Sequence, residues 1–353
     1  MVEKFGAAIH GAGWVATQHT QAYVNNPHTE VVAISSRRES SAKNLAESYG
    51  AKEAKIYTDY DKLLDDPNVD IISICTPQHL HSGETVKAAE AKKHIVIEKP
   101  VAISLEGLKA MRGAVRRAGV KTVISFVLRW NPIFDTVKAM IADDALGDIY
   151  YVDVDYQSHV SGSWWKGWHW ARKKDIGVSS FLVAGVHAID AARWFGSKER
   201  FGTSNITEVV SYSGGYRKGK GDDPMEYDGL EVILGKLDVG AVAKISSNYD
   251  VVMPYNFVWS IFGSKGTFKN NRVWSKKYPG QNDWVQIPAI MPDTPEVSHH
   301  PFQGEIDHFI ECITADKESH CNLEDAVNTH EAALAAIISQ NEDHRVVKLP
   351  LLK

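Results

Sequence analysis

Over its first 125 or so residues the chain alternates short apolar runs with amphipathic stretches, a rhythm that few architectures accept. Phe5–His10 reads as a buried strand, Val15–Asn25 as a helix and Val31–Ser35 as a strand. Ser40–Tyr49 reads as a helix with Ser40 or Ser41 near its cap. Ile71–Cys75 is a third clear strand, followed by a helix through Thr85–Ala91. His94–Glu98 and Val120–Val127 are two more strands, with Leu105–Ala118 helical between them. Parallel neighbours need a crossover, so strand–helix alternation on this scale requires a parallel sheet. Both faces of such a sheet are covered, and its strands are then continuous apolar runs, as here.

The pattern changes near residue 126. A helix over Pro132–Asp143 leads into Ile149–Gln157, where Tyr150, Val152, Val154 and Tyr156 alternate with Tyr151, Asp153, Asp155 and Gln157. A period of two marks a sheet with two unlike faces, usually antiparallel. Strand-like runs follow at Ile206–Tyr212, Leu230–Leu234, Val239–Ser246 and Phe257–Phe262, separated by glycine-rich turn signals. Phe302–Thr314 and Leu323–Ser339 look helical. The expected fold class is α/β: a doubly wound parallel sheet over residues 1–126, then an α+β domain over 127–353 with a mainly antiparallel sheet. A chain of 353 residues fits two domains.

Composition excludes several classes of function. A net charge of −5 lacks the basic footprint of a sequence-independent nucleic-acid binder. No apolar run approaches the ~20 residues needed to cross a bilayer, and the start shows no ordered n-region, h-region and cleavage site. The expectation is a soluble, cytoplasmic protein with no nucleic-acid or membrane partner. Cys75, Cys312 and Cys321 form no CxxC pair and read as small core residues of a reducing compartment. Among 15 histidines the closest pairs, His79/His81 and His299/His300, lack zinc-site spacing, so no metal centre is expected.

Gly11-Ala12-Gly13-Trp14-Val15-Ala16 supplies G-x-G-x-x-A directly after the first strand and at the start of the first helix. Gly11 allows a tight turn, Gly13 lets a pyrophosphate approach the backbone, and Ala16 permits close helix–strand packing. The helix N-terminus then offers free N–H groups and a positive dipole end to the phosphates. In this context the motif points to a dinucleotide; a merely structural glycine turn is the alternative. The position where an acidic residue would hold the ribose of NAD is Ser36, within Ser35-Ser36-Arg37-Arg38. Ser36 leaves room for a 2′-phosphate and Arg37 or Arg38 could pair with it, so the cofactor is NAD or NADP with a lean to NADP. Solvent-facing arginines beside an NAD site would look the same.

Cys75-Thr76-Pro77-Gln78-His79-Leu80-His81 closes the third clear strand, and Glu98-Lys99-Pro100 closes the next. Carboxyl ends of parallel strands are where an open α/β sheet binds ligands. A lysine held there is placed to polarise a substrate hydroxyl, although any Glu-Lys dipeptide can also be a surface ion pair. Taken with the glycine turn, these segments resemble the three N-terminal signatures of the Gfo/Idh/MocA oxidoreductases. The likeness continues through Arg129-Trp130-Asn131-Pro132 and through Gly185-Val186-His187-Ala188-Ile189-Asp190, which is similar to that family's G-x-H-x-x-D segment. The resemblance implies a Rossmann domain joined to an open-faced α+β domain, NAD(P)-dependent chemistry on sugars or polyols, and a homodimer or homotetramer packed through the open sheet. It implies cofactor contacts from Gly11, Gly13, Trp14, Val15, Ser36, Arg37, Arg38, Thr76, Pro77, His79, His81, Glu98 and Lys99. One departure stands out. The family's acidic residue four positions before the histidine is Val183 here, which can neither orient an imidazole nor stabilise its charge. His187 remains an acid/base candidate. Asp190, three residues on, shares a helical face with it, either orienting the ring or as an ordinary helix-surface or packing carboxylate.

Between His159 and Arg172 lie Trp164, Trp165, Trp168 and Trp170, four of the ten tryptophans, with Lys166, His169, Arg172, Lys173 and Lys174 among or beside them. Indole faces and cationic donors together suit a sugar, although some of these tryptophans would simply anchor a long loop. The stretch is similar to subgroups of the family that oxidise glycosides at the C3 hydroxyl. Substrate contacts are expected from Arg129, His159, Trp168, Trp170, Arg172 and Asp190, with Lys99 and His187 catalytic. The expected activity is hydride transfer between nicotinamide and a hydroxyl or keto group of a sugar or glycoside. Glycoside cleavage through transient oxidation and elimination, and a non-catalytic NAD(P)-sensing regulator, are the alternatives.

Overall fold

The computed structural model describes residues 4–159, 169–220, 224–288 and 299–352. By contacts the chain divides into two units, Met1–Trp130 with Glu296–Ala326, and Asn131–Pro295 with Val327–Lys353. In this division the helix Phe302–Thr314, expected with residues 127–353, groups with the first unit, where it packs on the first helix.

The first unit is built on six parallel strands in the order β3-β2-β1-β4-β5-β6. They are β1 (Phe5–His10), β2 (Thr29–Ser35), β3 (Lys55–Tyr57), β4 (Ile71–Ile74), β5 (His94–Ile97) and β6 (Thr122–Ile124). The crossovers are α1 (Trp14–Asn25), α2 (Glu39–Ser48), α3 (Tyr60–Leu64), α4 (His81–Glu90) and α5 (Leu105–Ala118). Ala7-Ala8-Ile9, Ile71-Ile72 and Ile95-Val96-Ile97 have no exposed surface, as strands covered on both faces must. Local chemistry sets the helix ends. Ser104 Oγ accepts the Gly107 N–H at 3.1 Å to start α5, and Gly119, at φ +67°, ends it in the left-handed region. α2 departs from expectation: its N-cap is Arg38, with no side-chain cap bond, so neither Ser40 nor Ser41 caps it. Strand β3 and helix α3 were not legible because three half-exposed residues and a single helical turn carry little periodicity.

The second unit carries α6 (Pro132–Ala142), β7 (Ile149–Gln157), α7 (Val186–Gly196), β8 (Ile206–Gly214), β9 (Leu230–Leu237), β10 (Val242–Asn248), β11 (Asn256–Gly263), β12 (Gly266–Lys269), β13 (Arg272–Ser275), β14 (Val285–Gln286) and β15 (Val347–Lys348). Helix α8 is Phe302–Thr314 of the first unit, and α9 (Leu323–Asn341) runs across the division. The nine-stranded sheet has the order β14-β13-β12-β11-β7-β10-β9-β8-β15. Among the described strands of this sheet only β7 and β10 pair in parallel; the other pairs are antiparallel. Along β7, Val152, Val154 and Tyr156 are buried under α7 while Tyr151, Asp153 and Asp155 line the other face. Helix α7 is buried on every side and its last carbonyls need donors. Lys138 of α6 supplies them: its buried ammonium bonds the carbonyls of Trp194, Ser197 and Gly202, the last two at 2.7 and 2.9 Å.

Candidate functional site

In the first unit the strand order reverses between β1 and β4, and there the two loops meet. Gly11 has φ +105°, donates its N–H to the Ser35 carbonyl at 2.9 Å, and lies so close to the next turn that a Cβ would stand 2.6 Å from the Cys75 oxygen. Only glycine fits. Gly13 is the opposite case. It is the N-cap of α1, extended at φ −90°, and a Cβ there would meet no atom within 4 Å. The first turn of α1 has no side-chain cap and no acidic residue. A helix N-terminus with no side-chain cap and open space beside its N-cap suits the pyrophosphate of a dinucleotide, so the residues fit the group that the motif implies. Ser36 is half-buried, Arg37 and Arg38 are exposed, and among the described residues neither guanidinium has an ion-pair partner.

A polar chain runs beneath this edge that the sequence alone did not reveal. His10 Nδ1 lies 2.6 Å from Ser35 Oγ, its Nε2 lies 3.0 Å from Glu84 Oε1, and its ring stacks on Tyr60 at 3.9 Å. Thr76 donates its hydroxyl to the other oxygen of Glu84. Burial alone would push the Glu84 carboxyl up, but His10 and Thr76 hold it below the usual range. His10 reads as the last residue of a strand and Glu84 lies just before the expected helix Thr85–Ala91; only the fold brings them together.

Thr76 and Pro77 are half-buried and His79 is exposed, each open to a ligand. His81 and Glu98 differ from expectation. His81 is buried, with its ring nitrogens each 2.8 Å from a carbonyl oxygen, those of Pro100 and Thr76. Glu98 is buried as well; one oxygen is 3.0 Å from His19 Nε2 and the other accepts the Lys99 backbone N–H at 3.2 Å. Both side chains are buried and bonded within the protein, where they brace the two turns. Lys99, at the end of β5, precedes a cis peptide bond to Pro100. It is half-buried, and its ammonium has no hydrogen-bond or ion-pair partner among the described residues. Burial lowers its proton affinity, with the Glu98 charge opposing. A lowered, unpaired amine is equipped to exchange a proton with a hydroxyl.

Arg129 is corrected. Its guanidinium is buried, bonding Asp325 at 2.6 Å and the His320 carbonyl at 2.8 Å. It ties the short turn Val127–Trp130 to the start of α9 within the first unit, so the guanidinium expected at a substrate is engaged by the fold.

In the second unit, a π-helical turn over Phe181–Gly185 runs straight into α7 and sets His187 in the first turn of that helix. Such turns recur at functional sites. Glu231 of β9 pins it: one oxygen accepts the Ser180 hydroxyl and the Phe181 N–H, both at 2.8 Å, and the other accepts Gln340 at 3.0 Å. Gly185 passes close over β10, where a Cβ would lie 2.5 Å from that of Ser247. His187 is buried and stacks at 18° on Tyr156, which in turn meets Tyr249 and Tyr255 edge-on. Burial raises all three phenols well above the ordinary tyrosine range, so they remain protonated. These tyrosines were missed because one read as a strand residue and two lie in loops. Val183 is fully buried in the π turn, and Asp190 is buried at 3% exposed, so it is no helix-surface carboxylate. His159 turns its Nδ1 to the Val251 carbonyl. Trp170 and Arg172 are half-buried in the short turn His169–Arg172; burial, and then the neighbouring Arg217, pulls the Arg172 guanidinium down. Trp168, with Trp164, Trp165 and Lys166, lies outside the described residues.

Among the described residues, no group of three His, Cys, Asp or Glu side chains could hold a metal ion, the three cysteines are buried thiols, and no helix is long and apolar enough to cross a membrane.

Comparison with known proteins agrees with this arrangement. The chain is 27% identical over 351 residues to the uncharacterized oxidoreductase YrbE of Bacillus subtilis, covering 95% of this chain and 94% of that one. It is 26% identical over 291 residues to a levoglucosan dehydrogenase of Pseudarthrobacter phenanthrenivorans, covering 76% of this chain and 74% of the relative. A solved levoglucosan dehydrogenase in complex with NADH and levoglucosan shares the fold, with a TM-score of 0.84 at 21% identity over 99% of this chain and 100% of that one. Residues 5–126 match the family model described as oxidoreductase family, NAD-binding Rossmann fold, and residues 138–349 the one described as its C-terminal alpha/beta domain. The glycine turn, the lysine at the end of β5 and the π turn before His187 thus belong to a member of the Gfo/Idh/MocA oxidoreductase family.

Proposed function

We propose that the protein is an NAD(P)-dependent dehydrogenase acting on a CH–OH group of a sugar or glycoside, at C3 of a glucoside-type ring. The observation that carries this reading is the Lys99 amine: half-buried at the carboxyl end of β5, lowered in proton affinity, and unpartnered among the described residues. When bound, the nicotinamide accepts or returns a hydride. Everything else falls to side chains of this chain. The α1 N-terminus and the Gly13 approach hold the pyrophosphate, and Ser36 with Arg37 and Arg38 favour a 2′-phosphate, which leans the preference to NADP. Lys99 hydrogen-bonds the reacting hydroxyl and carries its proton, and His187 is a second group that handles protons. Protonated Tyr156 and Tyr255, with His159, Trp168, Trp170 and Arg172, supply donors and aromatic faces of the kind that sugars bind. The levoglucosan dehydrogenase relative supports a sugar as the substrate class.

A spectrophotometric screen of free sugars and aryl glycosides with NAD and with NADP tests the proposal. Turnover on at least one sugar is expected, and Lys99→Ala should lower it by on the order of 10²-fold or more while retaining cofactor affinity. Cofactor binding without turnover across the panel would instead favour a sensing role, and near-normal turnover in Lys99→Ala would remove that residue from the mechanism.

A further inference from the structure

Below Lys99 the first unit buries more polar chemistry than the proposed reaction uses. Tyr23 and His19 of α1, Ser73 of β4 and Glu98, just after β5, form one continuous chain. The Tyr23 hydroxyl is 3.0 Å from Ser73 Oγ, that oxygen is 3.2 Å from His19 Nδ1, and His19 Nε2 is 3.0 Å from Glu98 Oε1. Both His19 and Tyr23 have no exposed surface. Glu98 Oε2 then receives the backbone N–H of Lys99 itself. A buried histidine of this kind is costly to keep polar unless its partners use it. Here the partner is the one carboxylate adjoining the amine.

We propose that His19 is a positioning residue for Lys99, acting through Glu98, whose carboxylate it holds beneath the turn. The inference rests on the acid/base reading of Lys99 and adds what sets that amine's state. Burial works against a charged Glu98; the His19 bond and charge, then Lys99 and His81, keep it ionised. The ionised carboxylate opposes the desolvation of Lys99 and so holds its ammonium form. The other groups facing Glu98 act in known directions. His81 of α4 supports its charge. Glu305 of α8 is pushed well above the usual carboxyl range by burial and then by Glu98, which favours its neutral form, and its Oε1 accepts from Ser125 Oγ at 2.9 Å. The Cys75 thiol is pushed up by burial and then by Glu98, and it stays neutral. Without its imidazole, Glu98 loses the donor that holds its carboxylate under the turn, its charge no longer sits fixed beside the amine, and Lys99 then releases its proton at lower pH.

The test titrates Lys99 directly, by pH-dependent labelling with an amine-selective reagent read by peptide mass spectrometry, beside the pH profile of turnover. In His19→Ala the labelling midpoint should fall by about one pH unit, the scale of losing a neighbouring opposite charge. Glu98→Gln, isosteric and free of the folding risk of a cavity, should shift it the same way. His19→Gln, which restores a donor to Glu98, should recover most of the wild-type midpoint. The proposal is overturned if Glu98→Gln titrates at the wild-type midpoint, or if His19→Ala folds and does so, while Lys99→Ala is inactive; the role of Lys99 then stands alone. If Lys99→Ala turns over normally, the acid/base reading falls and this inference falls with it.

Discussion

Replacing Gly11 and Gly13 one at a time by alanine separates two duties that a single glycine motif combines. At Gly11 the backbone sits at φ +105°, and a Cβ would approach the Cys75 carbonyl oxygen to 2.6 Å and its carbon to 2.7 Å. A side chain in that region costs about 1–3 kcal/mol in backbone strain. The contact with a neighbouring main chain, which cannot rotate away, takes the total to roughly 2–4 kcal/mol. Gly11→Ala should therefore unfold earlier in urea without any ligand present. At Gly13 the backbone is extended, which any residue adopts, and the added methyl meets nothing. Lower chain entropy gains about 0.4–1 kcal/mol, offset by the poorer N-cap quality of alanine, so stability should change by less than about 1 kcal/mol. The open space is where a pyrophosphate would lie, however. A methyl group there should weaken NADH binding at least tenfold, or about 1.4 kcal/mol. Fluorescence titration of NADH and urea denaturation of both variants decide the matter. Wild-type NADH affinity in Gly13→Ala would refute the phosphate cradle, and wild-type stability in Gly11→Ala would refute the strain argument.

Three further outcomes follow from buried or exposed groups. Lys138→Met removes the donor shared by the carbonyls of Trp194, Ser197 and Gly202 and should destabilise the protein by about 2–4 kcal/mol in thermal or urea unfolding, since buried acceptors left unpaired cost about 1–3 kcal/mol each before relaxation. Glu305 binds its proton more tightly folded than unfolded, so it lowers stability as pH rises above the ordinary carboxyl range. Glu305→Gln should therefore raise the Tm at pH 7–8 and leave it nearly unchanged at about pH 4; an equal shift at both would remove the titration from the account. We also propose that copies of the chain associate through the face of the large sheet opposite α7, where Leu234, Tyr212 and Val242 are exposed among the described residues. Leu234→Lys should then shift the species seen by size-exclusion chromatography with light scattering to smaller mass, and a wild-type monomer would end that proposal.

Much of this protein could be read from residue order alone. Strand–helix alternation, apolar runs and the glycine turn are local patterns, and they specify the parallel sheet, the alternating faces of β7 and the cofactor turn because sterics and hydrophobic periodicity act over a few residues. Lys99 was legible for the same reason: its position at a strand end follows from the strand. What could not be read is the company that polar residues keep. His81 and Arg129 sit in motifs that point to ligands, yet the fold buries their side chains among backbone carbonyls and Asp325: His81 joins the turns after β4 and β5, and Arg129 joins segments far apart in the chain. The chain from Ser35 through His10 and Glu84 to Thr76, the one from Tyr23 to Glu98, and the hold of Glu231 on the turn before His187 each join residues from separate elements. Hydrogen bonds reach about 3 Å and carry no periodic trace in the sequence, so tertiary structure alone decides which buried polar groups meet.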